Sequence, residues 1–114
     1  MNINVYFRED DERYRGFVEG EIDTFTAPIL REELDRIKIT ERLTIELDLS
    51  KVSYMDSTGL GIIVAFYKKV TREQAELKLV NLTSRLKRLF EITGLSELMN
   101  IESNEKVEVS NESI

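Results

Sequence analysis

An acid, two hydroxyls and two glycines crowd together at Asp56-Ser57-Thr58-Gly59-Leu60-Gly61. Few chemistries suit such a run. A serine hydroxyl can be a nucleophile if a base takes its proton, a cap for a helix start, or an acceptor of phosphate from another protein. As a cap, Ser57 or Asp56 would satisfy an orphan backbone N–H, worth about 1 kcal/mol. Gly59 and Gly61 sit where a helix begins, and each costs about 1 kcal/mol there relative to Ala. Glycine is kept in such places when backbone approaches something closely or φ is positive. The pair is therefore read as a surface that another protein, or a phosphate, comes near.

The nucleophile has no base. The chain of 114 residues contains neither His nor Cys. Ser–His and Cys–His catalytic pairs are excluded, as are zinc sites built on thiolate or imidazole, and disulfides. Gly59-Leu60-Gly61 is not followed by the Gly-Lys-Ser/Thr of a Walker loop, and without a base it is no nucleophile elbow. We expect no enzyme and no cofactor. A small enzyme built on Asp23, Asp56 and Ser57 is the contrasting reading, and turnover by the chain alone would be its mark. The net charge of −6 weighs against nucleic acid, which needs a basic patch, and against an anionic membrane surface. No apolar run approaches the roughly 18–20 residues that span a bilayer. The start, Met1-Asn2-Ile3-Asn4-Val5, lacks the basic head and apolar core of a secretory signal, so a cytoplasmic location is expected.

The capping reading stands, and beside it phosphate on Ser57 makes physical sense. It would add about −1.5 to −2 charges beside Asp56, at the positive end of a helix. A docking partner would meet bulk and repulsion while the fold survived.

The elements that must hold this turn can be read in order. Hydrophobic residues make up 41% and charged residues 33%, which suits one ordinary globular domain over 1–114, with 103–114 a weakly ordered polar tail. Residues 3–7 and 13–19 predict a hairpin, with Gly16 a weak point or a bulge. Thr26-Ala27-Pro28 predicts a capped helix start, and Leu30, Leu34 and Ile37 extend the helix over about 26–37, with Glu32–Arg36 a favourable pair. Residues 43–49 alternate without a break, so one face is buried and one is polar, which predicts helices mainly on one side of the sheet. The run after the motif is apolar nearly all round and predicts a central buried helix at about 58–70. A strand at 76–80, a turn and cap at Asn81-Leu82-Thr83, a helix at 84–92 ended by Gly94, and a short strand near 98–102 complete the chain. Strands alternating with helices imply right-handed parallel crossovers.

Glu21 and Asp23 precede the first helix. They are either solvated loop carboxylates favoured by the helix dipole or part of a site beside the Ser57 turn, since strand ends on one rim commonly build sites. Arg85, Lys87 and Arg88 read as a solvated helix face. Tyr14, Tyr54 and Phe66 read as core or its edge. Asn81-Leu82-Thr83 and Asn111-Glu112-Ser113 match a glycosylation pattern that is discounted for a cytoplasmic chain.

Three stretches together resemble a known family: Gly20-Glu21-Ile22-Asp23 with Thr26-Ala27-Pro28, Val52 to Gly61, and Leu86-Lys87-Arg88-Leu89-Phe90-Glu91-Ile92-Thr93-Gly94-Leu95. They look like anti-sigma-factor antagonists of the STAS domain family, of the general-stress type in Gram-positive bacteria, over roughly residues 1–102. The resemblance implies an α/β fold, a single STAS domain with a mixed β-sheet, an N-terminal hairpin and helices on one face. It implies that the unphosphorylated chain binds an anti-sigma factor that is also a serine kinase, freeing the sigma factor. It further implies phosphorylation on Ser57, which abolishes binding, and a metal-dependent serine phosphatase that reverses it. Glu21, Asp23, Asp56, Ser57, Thr58, Gly59 and Gly61 are the expected partner-binding residues; no metal or catalytic residue is expected. A STAS scaffold module of a larger signalling or transport complex is the alternative. The tail after Glu102 departs from longer family members with a clearer final helix.

Overall fold

The alternation at residues 43–49 does what its period of two requires. Ile45, Leu47 and Leu49 are buried, while Thr44, Glu46 and Asp48 face away and are half-buried. They belong to a five-stranded sheet in a computed structural model of the chain, in which residues 2–10 and 13–103 are described. Strands β1 (Ile3–Asp10) and β2 (Arg13–Ile22) form an antiparallel hairpin. Helix α1 (Ala27–Asp35), β3 (Thr44–Met55), α2 (Ser57–Arg72), β4 (Glu76–Leu82), α3 (Ser84–Ile92), a 3₁₀ turn (Leu95–Glu97) and β5 (Asn100–Ser103) follow. The spatial order is β1-β2-β3-β4-β5, with β2 to β5 parallel.

That order has a direct consequence. Three successive crossovers of one hand, each to the next strand, put all three helices on the same face. One core results, joining Val18, Ile22 and the β3 residues to Leu30 and Leu34 of α1, Ile63 and Phe66 of α2, and Phe90 of α3. The other face is polar: Glu46 lies 3.2 Å from Arg15 and 3.7 Å from Arg13, and Asn81 Nδ2 donates to Asp48 Oδ2 at 2.8 Å.

The expected elements are all present, and the differences have local causes. Strand β3 runs to Met55 rather than ending at Leu49. Its register against β2 slips twice, between Phe17 and Glu19 and between Gly20 and Glu21. Each slip inserts one extra β3 residue, so the period of two fails although pairing continues. The buried residues become Leu49, Val52 and Met55, three apart, and both Ser53 and Tyr54 turn outward. Tyr54 is 51% exposed and is not a core residue. The backbone N–H of Ser50 donates to Asp48 Oδ1 at 2.9 Å, next to the first slip. Asn81 and Leu82 belong to β4 rather than to a turn; Asn81 takes a left-handed φ of 59° within another slip, against β5. Gly16 is no bulge. It pairs regularly with Phe7 and Leu47, and a Cβ there would stand 2.8 Å from side-chain atoms of both.

Helix α1 stops at Asp35, and its ion pair joins Glu33, not Glu32, to Arg36, at 3.4 Å. Helix α2 is longer than expected and not buried all round. The sheet carries a single layer of helices, so Gly61, Ala65 and Lys68 face outward. Gly94, with φ 80°, follows α3 as expected, and the last strand begins two residues late because a 3₁₀ turn comes first. Of the expected tail at 103–114, Ser103 belongs to β5, and the rest lies outside the described residues, as does the Asn111 glycosylation pattern.

Candidate functional site

The C-terminal ends of β2 and β3 lie side by side, with Ile22 paired to Met55. The chain leaves β2 into the loop before α1 and leaves β3 straight into α2. Asp56 joins the two exits: its backbone N–H donates to Ile22 O at 3.1 Å. Glu21 and Asp23 thus flank the Asp56-Ser57 turn, as strand ends converging on one rim predict.

Asp56 is the cap of α2. Its Oδ1 accepts from Thr58 N at 2.9 Å and Gly59 N at 3.1 Å, and its extended backbone suits the position. Of the two capping candidates, Asp56 is the cap and Ser57 is not. Ser57 is the first helical residue, exposed, and its hydroxyl makes no hydrogen bond among the described residues. Thr58 is half-buried.

The two glycines divide. Gly59 is buried against the chain's own sheet. A Cβ there would stand 2.6 Å from Ile22 Cγ2 and 2.8 Å from Met55 Cγ. The close approach inferred from the sequence is real, but it is made to the core and not to a visitor. Gly61 is exposed with nothing near its missing Cβ, so it lies on the open face of α2 beside a groove to α1 lined by Arg31, Thr58, Ile62 and Ala65. Neither glycine has a positive φ.

Asp23 is not a solvated carboxylate. It is 8% exposed, and its Oδ1 accepts from Phe25 N at 2.9 Å and Thr26 N at 3.0 Å. Thr26 is correspondingly no side-chain cap for α1. Its hydroxyl donates to Glu21 O at 2.6 Å and accepts from Asp23 N at 2.9 Å. These bonds stiffen the loop, and Phe25 stands out from it, 80% exposed. Glu21, opposite Tyr54 in the register, has a buried Oε1 with no hydrogen-bond partner among the described residues. An unpaired buried carboxylate oxygen is costly, of order 1–3 kcal/mol or more.

Phe25, Tyr54 and Ile92, all large, apolar and exposed on described elements, were not picked out as site residues from the sequence. Phe25 carried one available signal, an aromatic ring flanked by threonines in a loop. Elsewhere, Tyr6 in β1 has a pKa raised above its usual value, first by a hydrogen bond to Glu19. Among the described residues no cluster of three or more acidic side chains could hold a metal, and no helix is long and apolar enough to cross a membrane.

The one-sided mixed sheet with its N-terminal hairpin matches a known domain. The STAS domain pattern covers residues 11–107, and the chain belongs to that family. Within it, the anti-sigma-B factor antagonist of Listeria monocytogenes is 46% identical over 106 residues, 92% of this chain and 93% of the relative. That of Bacillus subtilis is 44% identical over 102 residues, 89% and 92% of the two chains. The crystal structure of an anti-sigma factor antagonist from Mycobacterium paratuberculosis matches with a TM-score of 0.80 and 25% identity, over 96% of this chain and 93% of the other. These names describe regulators rather than enzymes, in line with the absence of a base for Ser57.

Two substitution experiments check this geometry. Gly59→Ala should destabilise by about 1–3 kcal/mol through overpacking, whereas Gly61→Ala should stabilise by up to about 1 kcal/mol; urea unfolding reads both. Asp56→Ala should cost about 1 kcal/mol as a lost cap, and Ser57→Ala should leave the unfolding midpoint nearly unchanged.

Proposed function

We propose that the chain is an anti-sigma-factor antagonist switched by phosphorylation on Ser57. The observation that carries this reading is the division of labour at the turn. Asp56 holds the helix start, so the exposed Ser57 hydroxyl has no structural task to lose. The names of the relatives support the antagonist part. In the unphosphorylated state, the rim of Glu21, Asp56, Ser57, Thr58 and Gly61 binds an anti-sigma factor that is also a serine kinase, and the sigma factor is released. Asp23 and Gly59 contribute by shaping that rim rather than by touching the partner, because both are buried. A cation or amide donor from the partner would satisfy Glu21 Oε1 once the side chain turns out of its buried position.

Phosphorylation places about −1.5 to −2 charges next to the Asp56 carboxylate. The helix dipole favours the new group, but Asp56 already takes two of the free N–H donors. The phosphate therefore stays directed outward, where a partner would have to bury it. A metal-dependent serine phosphatase restores the binding form. The setting is the cytoplasm, and the output is sigma-dependent transcription, of the general-stress kind.

Incubation with a purified anti-sigma-B factor, such as that of Listeria monocytogenes, and ATP should place one phosphate on Ser57 by mass spectrometry. Phosphate on Thr58 alone, or on neither residue, would contradict the site. In titrations with the same partner, Ser57→Ala should bind about as wild type does, and Ser57→Asp should bind at least tenfold more weakly. Equal affinities for the two variants would count against the charge argument.

A further inference from the structure

Beside the Ser57 turn an apolar groove runs between the end of β3 and α3. Val52, Tyr54, Met55, Leu86, Leu89 and Ile92 line it. Helix α3 presents Arg85, Arg88, Leu89 and Ile92 to it at i, i+3, i+4 and i+7, the spacing of one helical face. Ile92 is 73% exposed and Tyr54 is half-exposed. The sequence alone reads Arg85 and Arg88 as a solvated face, yet both line this groove, and neither makes an ion pair among the described residues.

Three observations narrow what fits there. The volume, ≈ 220 Å³, falls below the roughly 300–1,000 Å³ of small-molecule pockets and suits protruding side chains instead. The two arginines sit in a chain of net charge −6, so they mark a local patch for an acidic group and not a general cationic surface. Tyr54 and Met55 run directly into Asp56-Ser57. A stable interface buries about 800 Å² on each partner, more than one helical turn offers, so a partner on Ser57 must spread over neighbouring surface.

We propose that this groove receives an acidic, amphipathic segment of the anti-sigma factor, with an apolar side chain seated between Tyr54 and Ile92 and carboxylates on Arg85 and Arg88. The assignment rests on the antagonist reading above and adds the chemistry of the docking segment. Ser57 acts as the switch, and the groove acts as the anchor. Arginine suits this role because its planar fork binds a carboxylate through two parallel N–H bonds.

The test uses the full chain, its wild-type complex with a purified anti-sigma-B factor, and three variants. Arg85→Glu/Arg88→Glu should weaken binding at least tenfold and flatten the dependence of affinity on salt, with an unchanged thermal midpoint. Ile92→Ala, at a surface position where folding has little at stake, should weaken binding several-fold. Arg88→Lys keeps the charge and introduces an amine, which carbodiimide should join to an Asp or Glu of the partner, located by mass spectrometry. A double variant and an Ile92→Ala variant that both bind within twofold of wild type would overturn the groove alone. So would an Arg88→Lys complex that forms but yields no carboxylate cross-link. Failure of the wild-type chain to form any complex would instead overturn the antagonist reading, and this inference with it.

Discussion

Everything at the rim depends on how closely α2 approaches the sheet. At Gly59 the helix backbone comes so near β2 and β3 that a methyl group would stand 2.6 Å from Ile22. One turn earlier, the Asp56 N–H bonds to Ile22 O and the Asp56 carboxylate takes the free N–H groups of Thr58 and Gly59. These contacts fix the direction in which α2 starts. Ser57 lies between a cap that satisfies the helix and a glycine that seats it, and its own side chain is left facing water. A hydroxyl in that position can gain or lose a large charged group without disturbing the core.

The same constraint explains the loop before α1. If α2 is to begin against Ile22, β2 must end there and its exit must be held aside. Asp23 and Thr26 do this with a closed set of short hydrogen bonds. Their polarity serves the scaffold, and the apolar Phe25 is what the loop displays. Some residues that look functional by type, Asp23 and Gly59 among them, are therefore buried and serve the scaffold. Asp23 and Gly59 build the rim. Ser57 and the rings of Phe25 and Tyr54 are what the rim exposes.

Much of this could be read from the sequence, and the gaps have physical reasons. The one-sided sheet followed from the alternation at 43–49, because a strand covered on both faces would not alternate. The strand-to-helix turn that carries Asp56 and Ser57 followed from a hydroxyl and two glycines beside an apolar run. Strand β3 was read too short because two inserted residues break the period while leaving the ladder intact. The glycines were read alike because spacing says that a Cβ is unwelcome or expensive but not on which side. Gly59 answers to Ile22 and Met55, Gly61 to open space. Thr26 was read as a cap because a hydroxyl before Pro28 usually is one, and only the folded loop supplies the competing acceptor at Glu21 O. The groove was hidden because its walls come from β3 and α3, separated in the chain by residues 56–83 and joined only by folding.

The central claim is that Ser57 controls binding without supporting the fold. It is tested most directly by one paired measurement: calorimetric titration of the anti-sigma factor into the unphosphorylated and the enzymatically phosphorylated chain, with the thermal unfolding midpoint recorded for both. The account predicts a loss of affinity of at least about a hundredfold, some 2.7 kcal/mol, with midpoints within a few degrees. Undiminished binding by the phosphorylated chain would contradict it, as would binding lost only together with the fold.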